Sequence, residues 1–410
     1  MVPATPHFEH PLTMARRLAL GLLALLATAA PSFAASPPPQ PKAGLPGGAD
    51  NPDAEVVKRA VGRASAATYA FHMAGQPAQP RPVVVFLHGW GAVNPMTYGG
   101  WIDHLARRGY LVLFPAFQTV GRTRPVDATA TARKLVADAL AALAGDADAR
   151  PDTARLAIIG HSAGAGIAAN MAADPAAAGL PVPKAVFMVM AGGVASDAKS
   201  RGVQLEDLAK IGAGTSLIAM VGDREAIASD RVSRRILREA SEVPANKKLF
   251  MRAGSDDHGF PTMAATLAAP ASPLPAYDLA AIKVPPDPPL DRRAPRPPQP
   301  KWSPDMVLSG EQQTLLGQLG RNSIDTLDYL AFWKTFDLLA DSAFGGSGDL
   351  AVLRNDPNFL DMGRWNDTWP LRRLFAETPR HVDATATAPA RAAPAATKMP
   401  VTRQRGKRTP

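Results

Sequence analysis

The sequence predicts an α/β domain: a mostly parallel central sheet with helices on both faces. Two observations predict it. Short, wholly apolar runs recur along the middle of the chain, and stretches of helical length and periodicity separate them. A strand that is apolar on both faces must be covered on both faces, which is the signature of a parallel sheet sandwiched between helices.

In chain order, Arg81-Pro82 precedes Val83 to Leu87, a continuous apolar strand. Trp101 to Arg108 reads as an amphipathic helix, Tyr110 to Phe114 as a buried strand, and Ala128 to Leu143 as an Ala-rich helix. Leu156 to Ile159 is the next strand, and Ala165 to Ala173 is helix-compatible. Ala185 to Met190 and Ser216 to Val221 are further strands, Arg224 to Ala240 a helix, and Lys248 to Met251 a last short strand. Ile324 to Leu338 carries an apolar stripe at helical spacing behind the cap-like Asn322-Ser323, and predicts a closing helix packed on the sheet. Phe332, Trp333 and Phe336 in that stripe serve either core packing or an aromatic substrate wall.

The flanks differ from this core. Met14-Ala15-Arg16-Arg17, an apolar run from Leu18 to Ala30, and Ser32-Phe33-Ala34 have the build of a secretory signal peptide over residues 1–34. A secreted or periplasmic protein is the expectation, by general or twin-arginine export. Residues 35–55 read as a Pro/Gly-rich linker, 56–380 as the domain, and 381–410 as a disordered basic tail. A Pro-rich insertion at 270–304 is either a lid or a mobile loop. The formal charge is +9, but +6 of it belongs to residues 384–410 and +1 to residues 1–34, leaving +2 for everything between. Nucleic acid is therefore not an expected partner. Weak contact of the tail with anionic surfaces is the one partner, beyond substrate, that charge favours. No second run of membrane length predicts a stable span. The chain has no cysteine, which excludes disulfides, thiol catalysis and thiolate metal sites.

Chemistry concentrates at the carboxyl ends of the predicted strands, where ligands of such sheets bind. Leu156 to Ile159 ends in Gly160-His161-Ser162-Ala163-Gly164, a strand feeding a turn so tight that its central serine is strained outward. The strand through Leu87 ends in His88-Gly89-Trp90-Gly91. Attack by Ser162 on an ester builds charge on the carbonyl oxygen, so the N–H groups of Ala163 and Trp90 are assigned as its oxyanion donors, with Gly91 as the fallback for the second. His88, Gly89, Gly91 and His161 line the expected substrate site. Asp223, after the strand at 216–221, either orients a histidine or caps the following helix. His258 lies in the Gly-flanked loop Gly254 to Gly259, with Asp256 and Asp257 beside it as alternative acids.

The order Ser162, Asp223, His258 and the motifs around them resemble the α/β-hydrolase superfamily, across about Ala66 to Phe260. The similarity is greatest to secreted esterases and to dienelactone- and polyester-hydrolase-type enzymes, and looser to chlorophyllases. It implies hydrolysis of a small-molecule or polymeric carboxylic ester through an acyl-serine, with no metal or organic cofactor. Ala163-Gly164-Ala165-Gly166 departs from the family's commoner bulky residue followed by Gly-Gly, so no substrate carries over. A peptidase on the same triad and a catalytically silent binding protein remain the alternative readings.

Overall fold

In this computed structural model the described residues are 34–224, 227–289, 301–306, 317 and 322–377. The signal-peptide reading (all but residue 34), the basic tail and residues 290–300 of the Pro-rich insertion lie outside them.

One nine-stranded sheet organises the domain, in the order β1-β2-β4-β3-β5-β6-β7-β8-β9. Its central strands are β3 (Arg81–Leu87), β4 (Leu111–Pro115), β5 (Pro151–His161), β6 (Ala185–Val189), β7 (Ser216–Gly222) and β8 (Lys248–Ala253). All six run parallel. Each covers the apolar run expected of it to within one residue, because side chains pointing to both faces are buried. Val83 to Leu87 are 0% exposed throughout, and each such side chain contributes ~1.5–3 kcal/mol by leaving water. The helices are α1 (Gly99–Arg107), α2 (Pro125–Leu143), α3 (Ala163–Ala173) and α4 (Ile227–Glu239). A π-helix, Leu327–Trp333, runs into α5 (Lys334–Phe344), and two short helices follow, α6 (Leu350–Asn355) and α7 (Pro357–Leu360). Helix α1 packs with the π-helix, and α2 packs with α3.

Three strands were not legible. β1 (Val56–Arg63) and β2 (Ala66–Met73) form an antiparallel hairpin on one side of the sheet, and β9 (Phe375–Glu377) pairs antiparallel with β8 on the other. The predicted closing helix begins instead with one π-helical stretch, so its stripe does not follow α-helical spacing throughout.

The segment expected to be a linker is laid along the domain. Phe260 N–H donates to Ala35 O (2.8 Å), Tyr329 Oη to Pro38 O (2.6 Å), and Gly47 N–H to the buried Asp337 carboxylate (2.7 Å). The described first half of the Pro-rich insertion is likewise docked. Ser272 O accepts from Gly100 N–H of α1 (2.8 Å), and Pro285 O accepts from Ala64 N–H at the β1–β2 turn (3.0 Å).

Candidate active site

Ser162 stands where β5 ends and α3 begins. Its backbone lies in the left-handed region, φ +52° and ψ −118°, a conformation that costs a non-glycine residue about 1–3 kcal/mol. The flanking glycines are required by contact. A Cβ on Gly160 would meet the carbonyl of Gly164, and one on Gly164 would meet the carbonyls of Leu87 and His88. The turn thus places the serine beside the end of β3, where Leu87 is in register with Gly160. Ser162 is 2% exposed, and its Oγ has no hydrogen-bond partner among the described residues.

The end of β3 distinguishes two kinds of amide. Gly89 N–H donates to Tyr98 Oη (2.9 Å), and Gly91 N–H donates to Gln118 Oε1 (2.7 Å). These two glycines, expected on the substrate, therefore have their amides committed to the protein, and Gly91 is removed as the fallback oxyanion donor. Trp90 N–H, between them, and Ala163 N–H, the first amide of α3, donate to no described group. Two unpaired amides at adjoining strand and helix ends are the donor set that an oxyanion needs.

Two histidines expected on the substrate turn inward. His161 Nε2–H donates to Leu267 O (2.7 Å), which leaves Nδ1 to accept from Tyr98 Oη (2.7 Å). Burial pushes its ring down to about 4, so it is neutral. His88 donates from Nδ1 to Gly89 O (2.8 Å) and stacks on Phe117 at 4.1 Å, and burial likewise pushes it down to about 4. Both are structural groups of the site.

His258 has a partner that the chain order did not reveal. Its Nε2 pairs with Asp367 Oδ2 at 2.7 Å, and its ring stacks on Trp369 at 5.3 Å. That hydrogen bond holds the exposed Asp367 carboxyl below the usual carboxylate range. The expected Asp223–His258 bond is absent. Asp223 Oδ1 instead accepts from Ser255 Oγ (2.5 Å), and its Oδ2 lies 3.8 Å from Arg372. Asp256 staples the loop, accepting His258 N–H on one oxygen (3.1 Å) and Arg372 N–H on the other (3.0 Å). Asp223, Ser255, Asp256, His258, Asp367 and Arg372 thus form one cluster beyond β7 and β8. No hydrogen bond in the described residues joins Ser162 to that cluster. Beyond His258 the chain turns back across the strand ends: Ala265 O accepts from Arg224 N–H after β7 (3.2 Å), and Leu267 O reaches His161 on β5. This return segment lies across the rim at which Ser162 is buried.

A strained serine between a parallel strand and its helix, on a sheet of this order, is the arrangement of the α/β-hydrolase fold. Residues 68–198 match the family model described as Chlorophyllase, a family within that superfamily. The matched stretch contains Trp90, Gln118 and Ser162 and stops before Asp223 and His258. No curated protein matches the chain.

Proposed function

We propose that this protein is an exported serine hydrolase of carboxylic esters, with Ser162 as nucleophile. The observation that carries the proposal is the strained Ser162 flanked by the unpaired amides of Trp90 and Ala163. The serine oxygen attacks the ester carbonyl, the two amides hold the oxyanion, and the alcohol departs to leave an acyl-serine that water resolves. His258 takes the serine proton and returns it to the leaving alcohol, with Asp223 orienting the imidazole. For this, His258 Nε2 must exchange its bond to Asp367 for one to Ser162 Oγ. The match to a family named for an esterase supports the ester over the amide as substrate. Export of the mature chain from Ala35 is part of the same reading, and amino-terminal sequencing of secreted protein tests it.

A second reading, a silent hydrolase-fold binding protein, is favoured by one observation: His258 is engaged by Asp367 rather than by Ser162. A fluorophosphonate probe separates the two. The proposal expects the probe to modify Ser162, and Ser162→Ala to lower hydrolysis of short p-nitrophenyl esters at least about a thousandfold with the fold retained. An unlabelled Ser162 with no hydrolysis above the uncatalysed rate would leave the binding reading, and an alanine variant as fast as an active wild type would remove Ser162 as the nucleophile.

A further inference from the structure

Gln118 lies just past the end of β4, beside the loop that supplies Trp90. The residue is 5% exposed, and its two polar side-chain atoms are in different states. Oε1 accepts the Gly91 N–H at 2.7 Å, while Nε2 is buried with no partner among the described residues. Leaving such an amide unpaired forfeits its hydration with no bond in return, and an apolar side chain would fill the space without that penalty. Two neighbours show the same condition. The indole Nε1 of the fully buried Trp90 has no partner, nor does Nε2 of His88, whose ring stacks on Phe117. Unpaired buried nitrogens therefore gather at the end of β3 and at Gln118, on the rim that carries Ser162.

The bond to Gly91 fixes where the free amide sits. The carboxamide is rigid and planar, and Trp90 N–H is one peptide unit from Gly91 N–H, so Nε2 lies no more than about 8–9 Å from the proposed oxyanion donor. The carbonyl oxygen of a bound ester would occupy the space beside Trp90 N–H. An oxygen further along the acyl group, rather than the carbonyl oxygen itself, is what can span that distance to Gln118.

We infer that Gln118 is a substrate-recognition residue: its Oε1 sets the loop that presents the Trp90 amide, and its Nε2 donates to a second oxygen on the acyl group, close to the scissile carbonyl. The preferred substrates are esters of oxygen-bearing acids such as alkoxy, hydroxy or oxo acids, over plain alkanoates. The inference rests on Ser162 and Trp90 having the roles proposed above. Loss of the donor affects binding of one class of acyl group, whereas loss of the loop bond lowers turnover of every ester.

p-Nitrophenyl methoxyacetate and p-nitrophenyl butyrate differ by one oxygen in place of one methylene, which makes them a matched pair. Their kcat/KM ratio should fall about tenfold from wild type in both Gln118→Met and Gln118→Glu, the change expected when one hydrogen bond is lost. Comparing ratios between variants cancels the intrinsic reactivity of the two esters. Gln118→Glu keeps an acceptor for Gly91 N–H, so its kcat on butyrate should fall less than that of Gln118→Met. A merely structural role would lower both esters equally and leave the ratio where it was, and that result overturns the proposal. A binding arm keeps it testable without turnover. By ligand-observed NMR, Ser162→Ala protein should favour methyl methoxyacetate over methyl butyrate, and adding Gln118→Met should remove the preference. Absent turnover with intact discrimination would sink the esterase reading alone; absent discrimination in both arms would sink the role of Gln118.

Discussion

The carboxylate nearest the candidate base is not the one that chain order nominates, and the difference comes down to single atoms. Asp367 engages Nε2 of His258, the nitrogen that a serine would need, whereas Nδ1 makes no bond among the described residues. In the proposed mechanism the bond to Asp367 competes with catalysis, and Asp223 is assigned to orient Nδ1. Under this assignment Asp223→Asn should lower kcat for ester hydrolysis by about a thousandfold or more, the scale seen when a triad loses its acid. Asp367→Asn should leave kcat at or above the wild-type value, because the ring is released. The reverse ranking in steady-state assays of the two variants would transfer the acid role to Asp367. A separate His–Asp contact has no such part. His104 Nε2 lies 3.0 Å from Asp337, its Nδ1 faces Gly48 O, and Asp337 also accepts Gly47 N–H. This buried pair fastens the amino-terminal segment to α1 and α5. Asp337→Ala should cost about 3–5 kcal/mol in urea unfolding by leaving its partners buried and unmatched.

The π-helix is the element where sequence pattern and fold part most clearly. Asp325 and Asp328 enter it together, and Asp328 is 1% exposed, with Oδ2 accepting Asp325 N–H (2.9 Å) and Oδ1 unpartnered. Burial first, and the neighbouring Asp325 second, raise the Asp328 carboxyl well above its ordinary value. The folded chain therefore keeps a proton that the unfolded chain sheds above about 3.8, and stability falls as pH rises through that range. Asp328→Asn removes the titration while keeping the shape. It should raise Tm by about 2 °C or more at pH 8 and change little at pH 4; a lower Tm at pH 8 would refute the account. The contrast with the central strands shows what the sequence could carry. β3 to β8 were legible because both their faces are buried, which writes an unbroken apolar run. β1 sits at the sheet edge with Lys58, Arg59 and Arg63 among its residues, and its mixed pattern resembles a loop. The elbow at Ser162 was legible because its two glycines are demanded by direct backbone contact. The pairing of His258 with a residue 109 positions later, and of Gly91 with Gln118, leaves no local spacing to read.

Across the whole molecule, the rim of the sheet is held together by groups that must stay neutral. His161 joins three parts of the fold: β5 through its own backbone, the helix-side Tyr98 through Nδ1, and the returning segment through Leu267 O. His88 lies in the adjoining strand end against Phe114 and Phe117. Burial pushes both rings from an ordinary 6.5 down to about 4, so between those values the unfolded chain binds protons that the folded chain refuses. Stability from these groups is fully present above pH 6.5 and is lost as pH falls towards 4. Each ring accounts for ~3 kcal/mol at the lower end. The loss also has a structural direction, since a protonated His161 Nδ1 can no longer accept from Tyr98 Oη, and the tie between the returning segment and the sheet weakens with it. Urea unfolding at pH 7 and at pH 4.5 should differ by several kcal/mol, with urea midpoints falling together by fluorescence and circular dichroism. His88→Phe preserves the stack on Phe117 and abolishes one titration, so it should remove one ring's share of the difference, with His161 and the likewise lowered His72 keeping the rest. The carboxylates of Asp146 and Asp230, held low by arginine partners, titrate beneath this window, whereas the raised Asp328 carboxyl titrates with the opposite sign, so the comparison is made in the Asp328→Asn background. An unchanged pH slope in His88→Phe would mean that the acid sensitivity of this fold lies elsewhere.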